Sequence, residues 1–131
     1  MNELLEERQR IYRSFVETGR PPAPSPLWPE LARERWIVLD KQGGLLMAHP
    51  YSARPTAFPV RSGEKVWYAN CIWDALVIPA MIGVDAELPA RCAQTRVKLP
   101  LRVRGQRLEA PECVMHFAVP VRQWWDNIVF T

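Results

Sequence analysis

A cysteine and an aspartate three residues apart, Cys71 and Asp74, open the run Asn70-Cys71-Ile72-Trp73-Asp74-Ala75-Leu76-Val77-Ile78-Pro79-Ala80-Met81-Ile82-Gly83. A thiolate is a ligand for soft metals, and a carboxyl group can hand over a proton, so the pair has the parts for metal capture followed by acid chemistry. Asn70 is a good helix N-cap, and the residues after it are apolar with no breaker before Pro79. A helix starting there puts Cys71 among the unpaired backbone N–H groups at the positive end of the dipole. That setting favours thiolate over thiol. At this spacing Cys71 and Asp74 share one helical face, and because a carboxylate opposes a neighbouring thiolate, the pair makes most sense with a proton on Asp74 or a cation between the two. The ordinary reading is that Cys71 is a buried apolar residue and Asp74 merely complements the helix dipole. Spacing alone favours that ordinary reading, since short motifs match easily by chance.

Resemblance tips the balance the other way. Residues 67–131 are similar to the alkylmercury lyase (organomercurial lyase) family, whose catalytic part opens on Trp/Asn-Cys-x-x-Asp-x-Leu-x-x-Pro-Ala-x-x-Gly. Here that pattern reads Asn70-Cys71-Ile72-Trp73-Asp74-Ala75-Leu76, then Pro79-Ala80 and Gly83. Arg91-Cys92-Ala93-Gln94-Thr95 resembles the family's Cys-Ala-x-Thr segment, and Leu108-Glu109-Ala110-Pro111 with a strand over residues 114–120 resembles its next hairpin. Upstream, residues 36–49 and 55–60 are also similar to the family's amino-terminal region. Several matches in order are far more specific than one Cys-x-x-Asp, and they cover roughly the last two-thirds to three-quarters of the chain.

The resemblance implies protonolysis of a carbon–mercury bond without a cofactor, mercury being part of substrate and product. By position Cys71 is the thiolate that takes up the organomercurial and therefore the mercury ligand, and Asp74 is the acid that manages the proton. Sulfur donors push electron density through mercury onto carbon and make that carbon basic enough to protonate. The family's second catalytic cysteine falls at residues 128–131, Ile128-Val129-Phe130-Thr131, where this sequence has no cysteine. Cys113 aligns with an apolar strand position and Cys92 with a cysteine whose role resembles a structural one. The expected ligands are an organomercurial or another soft metal ion, with small cellular thiols able to supply the missing sulfur.

Composition sets the frame. With 131 residues, 48% of them hydrophobic, the chain can bury one useful core. No apolar run approaches the ~20 residues of a membrane span, and the start, Met1-Asn2-Glu3-Leu4-Leu5-Glu6-Glu7, is acidic where a secretory signal is basic and then apolar. Three widely spaced cysteines make no Cys-x-x-Cys zinc pattern and read as reduced thiols, so a cytoplasmic protein with no membrane partner is expected. The net charge is +3. Arg102 and Arg104 would share a strand face, which reads as solvated sheet because no aromatics alternate with the charges, and nucleic acid is not an expected partner.

The elements that must position Cys71 are legible. Leu4, Leu5, Ile11, Tyr12, Phe15 and Val16 recur at helical spacing over residues 2–18, with Gly19 as a stop. Arg20-Pro21-Pro22-Ala23-Pro24-Ser25-Pro26 is an extended spacer, and residues 29–35 make a short helix begun by proline. Residues 36–40 and 45–49 read as strands around a glycine turn. Helix, short helix and hairpin resemble a shrunken winged helix, taken as structural because Arg33-Glu34-Arg35 is too short for a recognition helix. A second hairpin, residues 57–61 and 65–68, delivers the chain to Cys71. Strands at 84–88, 97–103, 107–109 and 114–119 follow. The expected fold is α+β: residues 1–60 a helical, winged-helix-like module with a proline-rich spacer, and residues 61–131 a catalytic domain of the alkylmercury lyase kind, a small mixed or antiparallel sheet carrying the cysteine-bearing helix. An unpaired strand at the far end would be an exposed edge, which a homodimer could cover.

His49, before a proline at a strand end, and His116, in an apolar strand, read as structural histidines outside the site. Trp67, Tyr68, Trp73, Trp124 and Trp125 read as core, with those nearest Cys71 able to line an apolar pocket for an organic group. Arg122, Trp124 and Trp125 fall on a short helix whose inner face would close that core. Three functions stay open: an organomercurial lyase using Cys71 and Asp74, a non-catalytic soft-metal or thiol-binding protein that has lost turnover, and a regulatory or DNA-associated module.

Overall fold

The computed structural model describes residues 2–129. Helix α1 (Glu3–Thr18) begins where the Asn2 side chain accepts the Leu4 N–H at 2.8 Å, and ends at Gly19 in the left-handed conformation, whose N–H returns to the Phe15 carbonyl. Its apolar stripe buries Ile11 and Phe15 completely. After the proline spacer, α2 (Trp28–Arg33) buries Trp28 and Leu31. The Trp28 indole N–H donates to Glu7, which also takes two hydrogen bonds from Arg10, so the one buried carboxylate of α1 is fully engaged.

Two antiparallel sheets follow. The first has the order β1 (Val38–Leu39), β2 (Leu45–Ala48), β3 (Tyr51–Ser52). The second has the order β5 (Lys65–Tyr68), β4 (Pro59–Ser62), β6 (Ala86–Arg91), β7 (Lys98–Arg104), β8 (Arg107–Glu109). Helix α3 (Ile72–Ile82) connects β5 to β6. The fold is therefore α+β, with every strand pair antiparallel. One apolar cluster runs from Ile11 and Phe15 of α1 through Tyr51, Val60, Trp67 and Ile78 to Leu101 and Val103 of β7. Two contacts fasten α1 to it: the Tyr51 ring stacks on Phe15 at 5.1 Å, and the buried Trp67 indole N–H donates to the Phe15 carbonyl at 2.9 Å.

Several sequence expectations are corrected. The helix expected at residues 29–35 starts at Trp28 and stops at Arg33, with the left-handed Arg35 turning the chain out of it. Tyr51 and Ser52, which lie outside the strands expected at 45–49 and 57–61, form one of their own, because the hairpin doubles back on β2 with Ala48 opposite Tyr51. Residues 114–119 form no strand: Pro111 and Pro120 flank them, Val114 is almost fully exposed, and β8 is paired only with β7. The final short helix, Val121–Asn127, is a 3-10 helix that buries none of its residues, so it covers the body without closing the core. Trp73 is half-exposed, not a core residue, while Trp67 is buried as expected. Arg102 and Arg104 do share an exposed face, and Glu87 and Glu109 lie near them at 3.8 and 3.7 Å, as suits solvated sheet. Among the described residues no helix is long and apolar enough to cross a membrane.

Candidate functional site

Strand β5 delivers the chain to the site, and its exit is held on two sides. Ala69 bridges to Tyr51, and its N–H donates to the Phe58 carbonyl at 3.0 Å. The next turn starts α3 one residue later than the sequence suggests. Cys71, not Asn70, is the N-cap: its backbone is extended, and its carbonyl accepts the first helical bond, from Ala75, at 3.0 Å. Asp74 is then the third residue of the helix, the spacing at which a capping pair normally sits.

With the cap role taken by Cys71, the Asn70 side chain turns elsewhere. Its Nδ2 lies 3.1 Å from the Tyr51 carbonyl, 3.2 Å from Asp74 Oδ2, and 3.3 Å from both the Pro50 carbonyl and His49 Nδ1. His49 Nδ1 is itself 3.1 Å from Asp74 Oδ2. The β2–β3 turn, the end of β5 and the first turn of α3 thus converge on one carboxylate oxygen. The Asp74 side chain is only 14% exposed and that of His49 33%, so these bonds are partly shielded from water.

The expectation of a stabilised thiolate at Cys71 is overturned. No amide N–H closes a full capping bond onto the sulfur. Burial raises the thiol's pKa above the usual value, and the Asp74 charge adds to that. The N–H groups of Asp74 and Trp73 pull the other way and are outweighed. Cys71 therefore keeps its proton at neutral pH. Cys92 behaves oppositely: in the β6–β7 turn its sulfur accepts the Thr95 N–H at 3.4 Å, and hydrogen bonds from Thr95 and Gln94 lower its pKa. Cys113 is exposed. No group of three or more His, Cys, Asp or Glu side chains among the described residues could hold a resident metal ion.

The structure brings Cys71 and Asp74 together at one helix mouth and adds His49 and Asn70, which sequence reasoning placed outside the site or gave a different task. No spacing rule links residue 49 to residue 74. The one available hint is that a polar side chain just ahead of the hairpin turn can reach whatever the neighbouring strand delivers. Beside α3, Trp73 forms one wall of an open apolar groove of about 750 Å³ with Phe117, Val119, Pro120, Val121 and Trp124. Phe117 packs between the two indoles, 5.9 Å from Trp73 and 5.1 Å from Trp124. The point matched to the family's second cysteine reaches Phe130 and Thr131, which lie outside the described residues.

Among solved structures, the crystal structure of the mercury-bound form of MerB2 is similar to this chain, with a TM-score of 0.68 and 21% sequence identity. The match covers 84% of this chain and 60% of the other, so this chain spans well under two-thirds of that protein's length. The likeness is one of fold. The family model for alkylmercury lyase matches residues 51–131, more than half of the chain and the part that holds β3, the Asn70 loop, α3 and all of the second sheet. The chain belongs to the alkylmercury lyase family.

Proposed function

We propose that this chain captures an organomercurial at Cys71 and, with Asp74 as proton carrier, cleaves its carbon–mercury bond. The observation that carries the proposal is the helix mouth itself, where a half-buried thiol, its pKa raised chiefly by burial, and a carboxyl fixed through one oxygen stand three residues apart. As the Cys71 sulfur displaces the anionic ligand that accompanies the organomercurial cation, that ligand leaves to solvent and the thiol proton passes to Asp74. The carbon–mercury bond then breaks with its electron pair staying on carbon, which takes that proton and leaves as hydrocarbon. Mercury(II) remains on sulfur, and a small thiol completes its coordination. A thiol that holds its proton until mercury arrives suits this sequence, because the proton needed at carbon is already in the site. The groove beginning at Trp73 offers an apolar surface to the organic group.

The test is to incubate the protein with phenylmercury and excess small thiol, and to measure bound mercury and released benzene. Cys71→Ser is expected to abolish stoichiometric binding. Asp74→Ala is expected to bind but to release benzene about 100-fold or more slowly, the usual contribution of a positioned acid. Unchanged stoichiometry in Cys71→Ser would mean that another thiol is the ligand. The lack of a cysteine at residues 128–131, the point matched to the family's second thiol, favours a second reading, capture without cleavage. One equivalent of bound phenylmercury with no benzene at any thiol concentration would establish it.

A further inference from the structure

We infer that His49 is a positioning residue for Asp74: its Nδ1–H donates to Oδ2, which together with the Asn70 amide fixes that oxygen and leaves Oδ1 as the one that carries the transferable proton. The inference rests on Asp74 being the proton carrier proposed above. A count of hydrogens supports the tautomer. Asn70 Nδ2 has two hydrogens and four neighbours within 3.3 Å: two backbone carbonyls, Asp74 Oδ2 and His49 Nδ1. A bare Nδ1 would add one more acceptor to an amide already short of hydrogens. A protonated Nδ1 needs only an acceptor, and Asp74 Oδ2 is 3.1 Å away.

The far side of the ring agrees. His49 Nε2 is buried with no hydrogen-bond partner among the described residues, and the Trp125 ring stands edge-on to the imidazole at 6.1 Å. A buried N–H without an acceptor is costly, and more so on a charged ring. A neutral imidazole with its hydrogen on Nδ1 avoids that cost. The backbone of His49 is held as well, since its carbonyl accepts the Tyr12 hydroxyl at 2.8 Å. Asp74 Oδ1 takes no hydrogen bond from a described residue, so it is the oxygen open to a reacting partner.

The experiment combines a measurement that needs no mercury with one that does. In 15N-histidine-labelled protein, the His49 signals, assigned by their loss in His49→Phe, are expected to show a protonated Nδ1 and a bare Nε2, and Asp74→Asn is expected to shift them. A resting Nε2–H tautomer would overturn the inference, whether or not the protein turns over phenylmercury. In benzene release, His49→Asn, whose amide can place a donor where Nδ1 stands, is expected to stay within about threefold of the parent. His49→Gln, whose amide reaches the Nε2 position, and His49→Phe are expected to lose about tenfold or more in kcat, with KM and bound mercury unchanged. Rescue by Gln and not by Asn, or an equal loss in all three, would overturn it. Should His49→Phe fail to fold, Asp74→Asn and the Asn and Gln variants assign the signals and decide the matter. A parent that binds phenylmercury without releasing benzene would remove the proposed cleavage and leave the nitrogen signals to decide the hydrogen bond.

Discussion

At the scale of residues, the chain separates two jobs that a single cysteine often combines. The thiol that hydrogen bonding makes more acidic, Cys92, sits in a surface turn, whereas the thiol beside the carboxyl, Cys71, is made less acidic by burial. Iodoacetamide near pH 7.5 is accordingly expected to label Cys92 well before Cys71, with Cys71 reacting appreciably only as the pH passes the ordinary thiol value of 9.0, as peptide mapping by mass spectrometry can follow. Asp74→Asn should bring the Cys71 pKa down by removing the smaller, electrostatic cause, and leave it raised because burial, the larger cause, persists. The sequence made the partnership of Cys71 with Asp74 legible through helical spacing. It gave the wrong sign for the thiol because a helix dipole can be read from neighbouring residues, whereas desolvation depends on what packs above them. His49 was hidden for the same reason, since its contact with Asp74 spans 25 positions and two elements.

At the scale of elements, local signals worked where both ends of an element carry their own chemistry. Asn2 and Gly19 bound α1 as expected, and the glycine turns marked both hairpins. They failed by one residue at α3, where two adjacent side chains compete for the cap and the winner is decided by the Tyr51 and Pro50 carbonyls that draw Asn70 away. They failed altogether at residues 114–119, where a run suited to a strand is flanked by Pro111 and Pro120 and leaves the outer edge of β8 unpaired. Gly19 is the joint at which element and assembly meet. Its φ is +72°, and a Cβ there would lie 2.9 Å from the Val66 carbonyl oxygen of β5. Gly19→Ala is expected to cost at least about 1–2 kcal/mol from the left-handed backbone alone, measured as a lowered urea midpoint with unchanged slope.

At the scale of the whole molecule, the core joins α1 to the second sheet through Phe15, Tyr51 and Trp67, and its buried polar groups set how stability responds to pH. Glu7 has its pKa lowered, chiefly by hydrogen bonding to Arg10, so its contribution is complete above the ordinary value of 4.5 and fades as the pH falls through the lower, folded value. Glu7→Gln should flatten that acid limb in denaturant titrations. Tyr51 lies at the other extreme: burial, then the nearby Tyr12, push its pKa up to about 12, so its contribution is lost as the pH rises from about 10 through that value. Its hydroxyl is buried with no partner among the described residues. Tyr51→Phe should therefore be neutral or slightly stabilising at neutral pH and more resistant to alkali. Phe15→Ala, which empties the stack beneath Tyr51, should cost about 3–5 kcal/mol. The Tyr12 hydroxyl grips the backbone of the same histidine that touches Asp74. A protease nick in the proline spacer would consequently leave the first helix clinging to the body as a detachable peptide, and rinsing that peptide away should slacken the carboxyl at a distance, with no atom of the reaction centre having been cut.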